Sequence, residues 1–245
     1  MKDLVIGDMV RVMNDKFEPI YSFGHKSSGE TTTMLQIMTE GVLKPLEISH
    51  DHMVMVEGTR RALPASLIKA GDLLLTANGT LAPVLWTTQV LRTGIVAPFT
   101  ESGSIFVNNI LASNYISFQG SEHLVFGKLK TPFSYQWLAH AFAAPHRIAF
   151  RLGIGHEYYT ESGISHWVDL PYKVATWSLK QNTWVLVAVL LPVLVVFGFF
   201  LLLESLVKSP VTLALVVMTW GGYTWLGRNK GGAIFLWNHG SAGEN

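Results

Sequence analysis

Leu46-Glu47-Ile48-Ser49-His50-Asp51-His52-Met53-Val54-Met55-Val56 decides how the rest of the sequence is read. Apolar side chains recur at every second position through Leu46, Ile48, Val54 and Val56, which predicts a β-strand with one face in a core. The middle of the run departs from that pattern. Ser49, His50, Asp51 and His52 stand in succession where apolar and solvated residues should alternate. An imidazole held in a mostly apolar strand, with a hydroxyl three residues before it, is equipped to polarise a neighbouring peptide bond.

Outward from this run, residues 1–127 read as all-β. Short apolar or alternating runs at 9–13, 34–38, 46–56, 73–76, 84–91, 104–111 and 115–118 are separated by turn signals. Those signals are Asn14-Asp15, Ser28-Gly29, Glu40-Gly41, Asn78-Gly79 and Ser102-Gly103. Strands this short and regularly spaced predict a sandwich or barrel-like fold rather than βαβ units. Leu4-Val5-Ile6-Gly7-Asp8-Met9-Val10 also has an echo in Ile68-Lys69-Ala70-Gly71-Asp72-Leu73-Leu74. Gly accepts positive φ and Asp bonds its own backbone, so each Gly-Asp suits a tight turn entering a strand. Two such turns hint at an internally duplicated β domain.

Residues 128–152 change period. Leu138, Ala141, Phe142, Pro145, Ile148 and Leu152 fall on one helical stripe, an amphipathic extension that Pro145 should kink or split. Residues 153–182, with Gly155, Gly163 and Pro171, read as a linker. Residues 184–203 then carry no charge. At ~1.5 Å per residue they are long enough to cross a hydrocarbon core of ~30 Å. A second uncharged stretch occupies 210–227, so residues 183–227 predict a transmembrane helical hairpin ahead of a short tail at 228–245. Helices buried in a large soluble core are the alternative. The hairpin implies an integral membrane protein of a secretory-pathway or cell-surface membrane, with membrane lipid as a partner. Lys173, Lys180, Arg228 and Lys230 on one side against Lys208 on the other is a small margin, and it leaves the side of the β domain open.

Composition narrows the function. Hydrophobic residues make up 49% of the chain and charged residues 14%, well below the ~25% usual for soluble domains. A net charge of +1 offers no basic patch, so nucleic acid is not an expected partner. Cysteine is absent, which excludes disulfides, thiolate zinc sites and a cysteine nucleophile within these residues. Lys2, Asp3, Asp8, Arg11, Asp15, Lys16 and Glu18 leave no signal-peptide apolar region in the first twenty residues. His50 and His52 alternate onto one face, with Asp51 or His123 as possible contributors, but no third ligand has convincing spacing. No metal and no cofactor is expected. His140 and His146 read as packing or interfacial residues.

Four blocks, in order, resemble the Hint module, the autoprocessing domain shared by Hedgehog C-terminal regions and inteins. They are Lys2 to Val10, Leu46 to Val56, Ala62 to Asp72, and the run Ala97-Pro98-Phe99-Thr100-Glu101-Ser102-Gly103-Ser104-Ile105-Phe106-Val107-Asn108-Asn109-Ile110-Leu111-Ala112-Ser113-Asn114-Tyr115. The last is long and specific and is closest to the Hedgehog type, as are Trp137-Leu138-Ala139-His140 and Ala144-Pro145-His146-Arg147 after it.

What the resemblance implies is an N-to-S acyl shift. A cysteine attacks the preceding carbonyl, and a second nucleophile then releases an upstream, covalently linked protein. His52 is similar to the family's histidine, which protonates the departing nitrogen, and Ser49 takes the place of the family's threonine. The nucleophilic cysteine belongs before Lys2 and is missing, so the chain reads as N-terminally incomplete and inactive as it stands. His25, in Phe23-Gly24-His25-Lys26, falls around the place where animal Hedgehogs use an Asp to activate sterol. The acceptor is therefore water, a sterol or another alcohol. Asn114 stands where the family often has a second cysteine. The alternative is a non-catalytic, Hint-derived, membrane-anchored binding or scaffold module.

Overall fold

The run at 46–56 forms two strands, not one, in the computed structural model, which describes residues 1–57, 61–154 and 158–209 with Val211, Ala214 and Met218. In chain order the strands are β1 (Met9–Val12), β2 (Lys16–Pro19), β3 (Ser22–Thr39), β4 (Leu46–Ser49), β5 (His52–Val56) and β6 (Arg61–Pro64). They continue with β7 (Leu73–Leu75), β8 (Leu81–Phe99), β9 (Ser104–Val107), β10 (Ile110–Ile116), β11 (His123–Phe126) and β12 (Leu129–Ser134). Four helices follow: α1 (Tyr135–Phe142), α2 (Ala144–Arg151), α3 (His166–Ser178) and α4 (Thr183–Lys208). The principal sheet runs β4-β3-β8-β7-β5-β10-β9, with β6 also on β5, and β1-β2 and β11-β12 are separate hairpins.

The break in the 46–56 run is a change of partners. β4 pairs with β3, whereas β5 pairs with β6, β7 and β10. His50 and Asp51 form the bend between them, and their carbonyls are satisfied by Ser66 N at 3.0 Å and Ser117 N at 2.8 Å. Alternation stays in phase across the bend. Leu46, Ile48, Val54 and Val56 all enter one core cluster with Leu35, Ile37, Leu74 and Ile110, so the apolar side chains keep one phase and the polar run Ser49 to His52 marks the bend. β5 is buried on both faces: Met53 and Met55 point into a second cluster with Tyr21, Phe99, Leu111, Tyr115 and Tyr135. Each such buried apolar side chain stabilises the fold by about 1.5–3 kcal/mol.

The two Gly-Asp turns have the same hydrogen bonds. In the first, Val5 N donates to Asp8 Oδ2 at 2.9 Å, Gly7 N to Ile20 O and Ile20 N to Asp8 O. In the second, Lys69 N donates to Asp72 Oδ2 at 2.8 Å, Gly71 N to Val84 O and Val84 N to Asp72 O. Gly7 and Gly71 sit at φ 96° and 92°, the left-handed region that glycine tolerates. The long strands after the turns, β3 and β8, pair antiparallel with each other from Ser22 opposite Phe99 to Thr39 opposite Val84.

The expected boundary at 127 falls inside a hairpin. Gly127 turns at φ 60° between β11 and β12, so β structure continues to Ser134. The helical extension then splits where Pro145 implied: Ser134 Oγ caps α1 by accepting from Trp137 N, and Pro145 lies in the first turn of α2. Residues 153–182 are not simply a linker. Ser165 Oγ caps the 13-residue α3 by accepting from Trp167 N, and Val168 and Leu179 of this segment pack on the second cluster. Its glycines and Pro171 hid a helix whose apolar spacing outweighs the one backbone bond that Pro171 removes.

α4 is long and apolar enough, by length and composition, to cross a membrane. The second predicted span at 210–227 and the tail at 228–245 lie outside the described residues apart from three scattered positions. The chain divides into two units, Met1–Gly198 and Phe199–Asn245. In the described part of the second, Lys208 pairs with Glu204 one helical turn away at 2.8 Å.

Candidate functional site around His52

The site is built where β5 begins. Val54 pairs with Ala112 and His52 with Ile116, so β10 uses more residues than β5 between those pairs and bulges. The bulge takes Ser113 out of the β5–β10 ladder, while on the other edge it stays opposite Ser104 of β9. The Ser113 carbonyl lies 2.9 Å from Nε2 of His52. A carbonyl can only accept, so Nε2 carries the proton and donates it. In the neutral ring Nδ1 then holds the lone pair, and among the described residues it has no hydrogen-bond partner.

Burial holds the His52 pKa below the ordinary imidazole value, and the bond to Ser113 opposes that only in part. The ring is therefore neutral at pH 7. A neutral imidazole with an open Nδ1 takes a proton first and returns it afterwards, base and then acid in one group.

Around this contact the bulge is held from both sides. Ser113 Oγ donates to Gln136 Oε1 of α1 at 2.5 Å and accepts from Tyr115 N at 3.0 Å. The Tyr115 hydroxyl meets His140 Nδ1 at 3.1 Å. Gly103 O accepts from Asn114 N at 3.0 Å. A Cβ at Gly103 would stand 2.7 Å from the Tyr115 ring and 3.0 Å from His140, so the β8–β9 turn fits only glycine there. On the other side Asn114 Nδ2 donates to Thr100 Oγ1 at 2.9 Å, and Thr100 Oγ1 donates to Ser104 O at 2.8 Å. Asn114 is 3% exposed and its Oδ1 has no partner.

Ser49 ends β4 opposite Met34, half-buried, and is separated from His52 by the bend alone. His25 stands on β3. It pairs with Ala97 in the β3–β8 ladder, and its Nε2 is 2.8 Å from Ser162 O and 3.1 Å from Glu30 Oε2. Among the described residues it shares no hydrogen-bond or ion-pair partner with His52. His50 accepts from Gln89 Nε2 at 3.3 Å, so its partners too are distinct from those of His52. Gln136, Thr100 and Ser113 were not singled out from sequence. The polar side of the α1 stripe was the only signal for Gln136.

The site is thus a part-buried neutral imidazole at the start of β5, facing a bulge in β10, within a mostly β module. The family model of the Hint module matches residues 1–180, and the chain belongs to that family. The match takes in α1 to α3 and stops short of α4. Over 135 residues the chain is 33% identical to Protein hedgehog of Drosophila hydei, covering 49% of this chain and 28% of that protein. Over 125 residues it is 29% identical to Warthog protein 6 of Caenorhabditis elegans, covering 46% and 21%. The chain thus spans about a quarter of the length of these relatives. Among solved structures it is similar to the gp41-1 intein, with a TM-score of 0.37 and 17% identity over 45% of this chain and 83% of the intein. It is also similar to the VidaL intein, at 0.33 and 14% over 41% and 66%.

Proposed function

We propose that this chain is the processing part of a Hedgehog-type precursor, cleaving a peptide bond in a segment N-terminal to it. The observation that supports this reading is the His52–Ser113 contact, which leaves a neutral imidazole with Nδ1 open. In the first step Nδ1 takes the proton of an upstream cysteine thiol. The sulfur attacks the preceding carbonyl carbon, and the same proton passes to the departing amide nitrogen as the C–N bond breaks. The products are a thioester and a free amine. Ser49 donates its hydroxyl to the strained peptide.

In the second step a hydroxyl of water, a sterol or another alcohol attacks the thioester and expels the thiol. His25 is the base for that step. Glu30 and Ser162 at its Nε2 orient the ring and leave Nδ1 as the free face. The module is internally duplicated, a reading supported by the matching bonds of the Gly7-Asp8 and Gly71-Asp72 turns. A helical hairpin beginning with α4 anchors it in a secretory-pathway or cell-surface membrane.

The test is a precursor carrying an upstream reporter and the cysteine-bearing strand, treated with dithiothreitol. The expected result is release of the reporter. His52→Gln slows release by about 10²-fold or more, the usual contribution of a general acid–base group. Ser49→Ala slows it by about tenfold, the kinetic equivalent of one hydrogen bond. A precursor that resists both thiol and hydroxylamine overturns the catalytic reading in favour of a binding or scaffold module.

A further inference from the structure

α3 carries two apolar faces: one packs on the core, and the other stays largely exposed, although Trp167 at its start stacks on the His146 ring at 4.6 Å. Val168 and, just past the helix end, Leu179 pack on the core, and Tyr172 meets the Phe118 ring at 5.5 Å. Trp167, Leu170, Val174 and Trp177 recur at helical spacing and are exposed, Leu170 at 67%. Beyond the helix end, Trp184, the second residue of α4, is 83% exposed as well. A water-facing helix face with two Trp, a Leu and a Val is costly to leave uncovered.

Two observations say what covers it. The first is the tether. At no more than about 3.5 Å per residue, the five steps from Ser178 to Thr183 hold the end of α3 within roughly 17 Å of the start of α4. The second is continuity of the surface. Phe142 lines a cleft of about 380 Å³ with Pro145, Tyr158, His166, Trp167, Leu170 and Pro171. The same Phe142 ring meets Phe197 of α4 at 6.2 Å. The apolar surface therefore runs from α3 through Phe142 onto α4.

We propose that the outward face of α3 lies in the lipid–water interface of the membrane that α4 crosses. The inference rests on the membrane-anchor reading above and extends it, because the β module is then docked on the bilayer rather than hung from it. Trp at the two ends of the stripe suits the interface, where an apolar ring and a polar N–H are both accommodated. Lys173, paired with Asp169 at 2.7 Å, and Lys180 keep their ammonium groups at headgroup level along apolar stems.

The absence of cysteine makes the test direct. Leu170→Cys and Val174→Cys report on α3, Val195→Cys on the span, and Leu43→Cys on the water-exposed β module. Each variant of the full chain is nitroxide-labelled in phosphatidylcholine nanodiscs, and collision rates with oxygen and with a water-soluble nickel chelate are compared. The expected oxygen-to-nickel ratio is several-fold higher at 170 and 174 than at 43, and highest at 195. Positions 170 and 174 matching 43 while 195 reports hydrocarbon overturns the proposal and leaves the anchor standing. Positions 170 and 174 shielded from both probes also overturns it, in favour of a protein partner on that face. Water at 195 removes the anchor and the proposal together.

Discussion

Nε2 of His52 donates to the carbonyl of Ser113 at 2.9 Å, from the first residue of β5 to a bulge in β10. The proton of the neutral ring is thereby committed to one nitrogen, and the other keeps its lone pair.

This arrangement makes the fold sensitive to acid. The unfolded imidazole binds its proton near 6.5, and burial lowers the folded value. Well above pH 6.5 both states are neutral, and the contribution of His52 to stability is complete. As pH falls below that, the unfolded chain takes up a proton that the folded chain resists, so stability drops until the folded pKa is passed. His52→Gln removes this titration and is expected to flatten the loss between about pH 7 and pH 5. Urea unfolding in detergent across that range checks it, and equal slopes in the two proteins count against it.

Asn114 is a half-satisfied group: Nδ2 is bonded to Thr100, and Oδ1 is buried without a partner. Asn114→Val removes both and leaves Thr100 bonded to Ser104, so the expected change in stability is within about 1 kcal/mol. Asn114→Asp buries a charge at the same place and is expected to cost about 3 kcal/mol or more at neutral pH. Unfolding free energies of the two variants give the comparison. A tolerated Asp with a costly Val would reverse this account of the site.

Gly163 binds the segment before α3 to the edge of β3, accepting from Lys26 N at 2.8 Å at φ 82°. A Cβ there would overlap the Lys26 carbonyl. Gly163→Ala is expected to cost about 2 kcal/mol, from left-handed strain and overlap together. It should release Ser162 from His25 while leaving the His52 contact intact. Imidazole NMR resonances separate these effects: His25 shifts and His52 stays. Equal shifts of both would mean that the two rings share one environment after all.

The sequence is legible where its residues answer to local rules. Gly7-Asp8 and Gly71-Asp72 announced turns that form with matching bonds, and Pro145 announced the split between α1 and α2. The polar run Ser49 to His52 marked a break in 46–56, but the change of strand partners there was hidden because Leu46, Ile48, Val54 and Val56 keep one phase. α3 was hidden by Gly155, Gly163 and Pro171, although Ser165 and the spacing of Trp167, Leu170, Val174 and Trp177 carry its signal. His52 stood out as a polar residue in an apolar run. Its partner did not, because a backbone carbonyl freed by a bulge has no signature in residue type. Gln136 and Thr100 depend on the same long-range pairing of β5 with β10.

That pairing joins residues 61 positions apart in the chain. A ribosome extending the chain at roughly 5–20 residues per second exposes His52 several seconds before Ser113. During that interval the imidazole is solvated, and no carbonyl selects which nitrogen keeps the proton. On the autoprocessing reading, the upstream protein gains a head start: it has time to fold before the tool that severs it is armed.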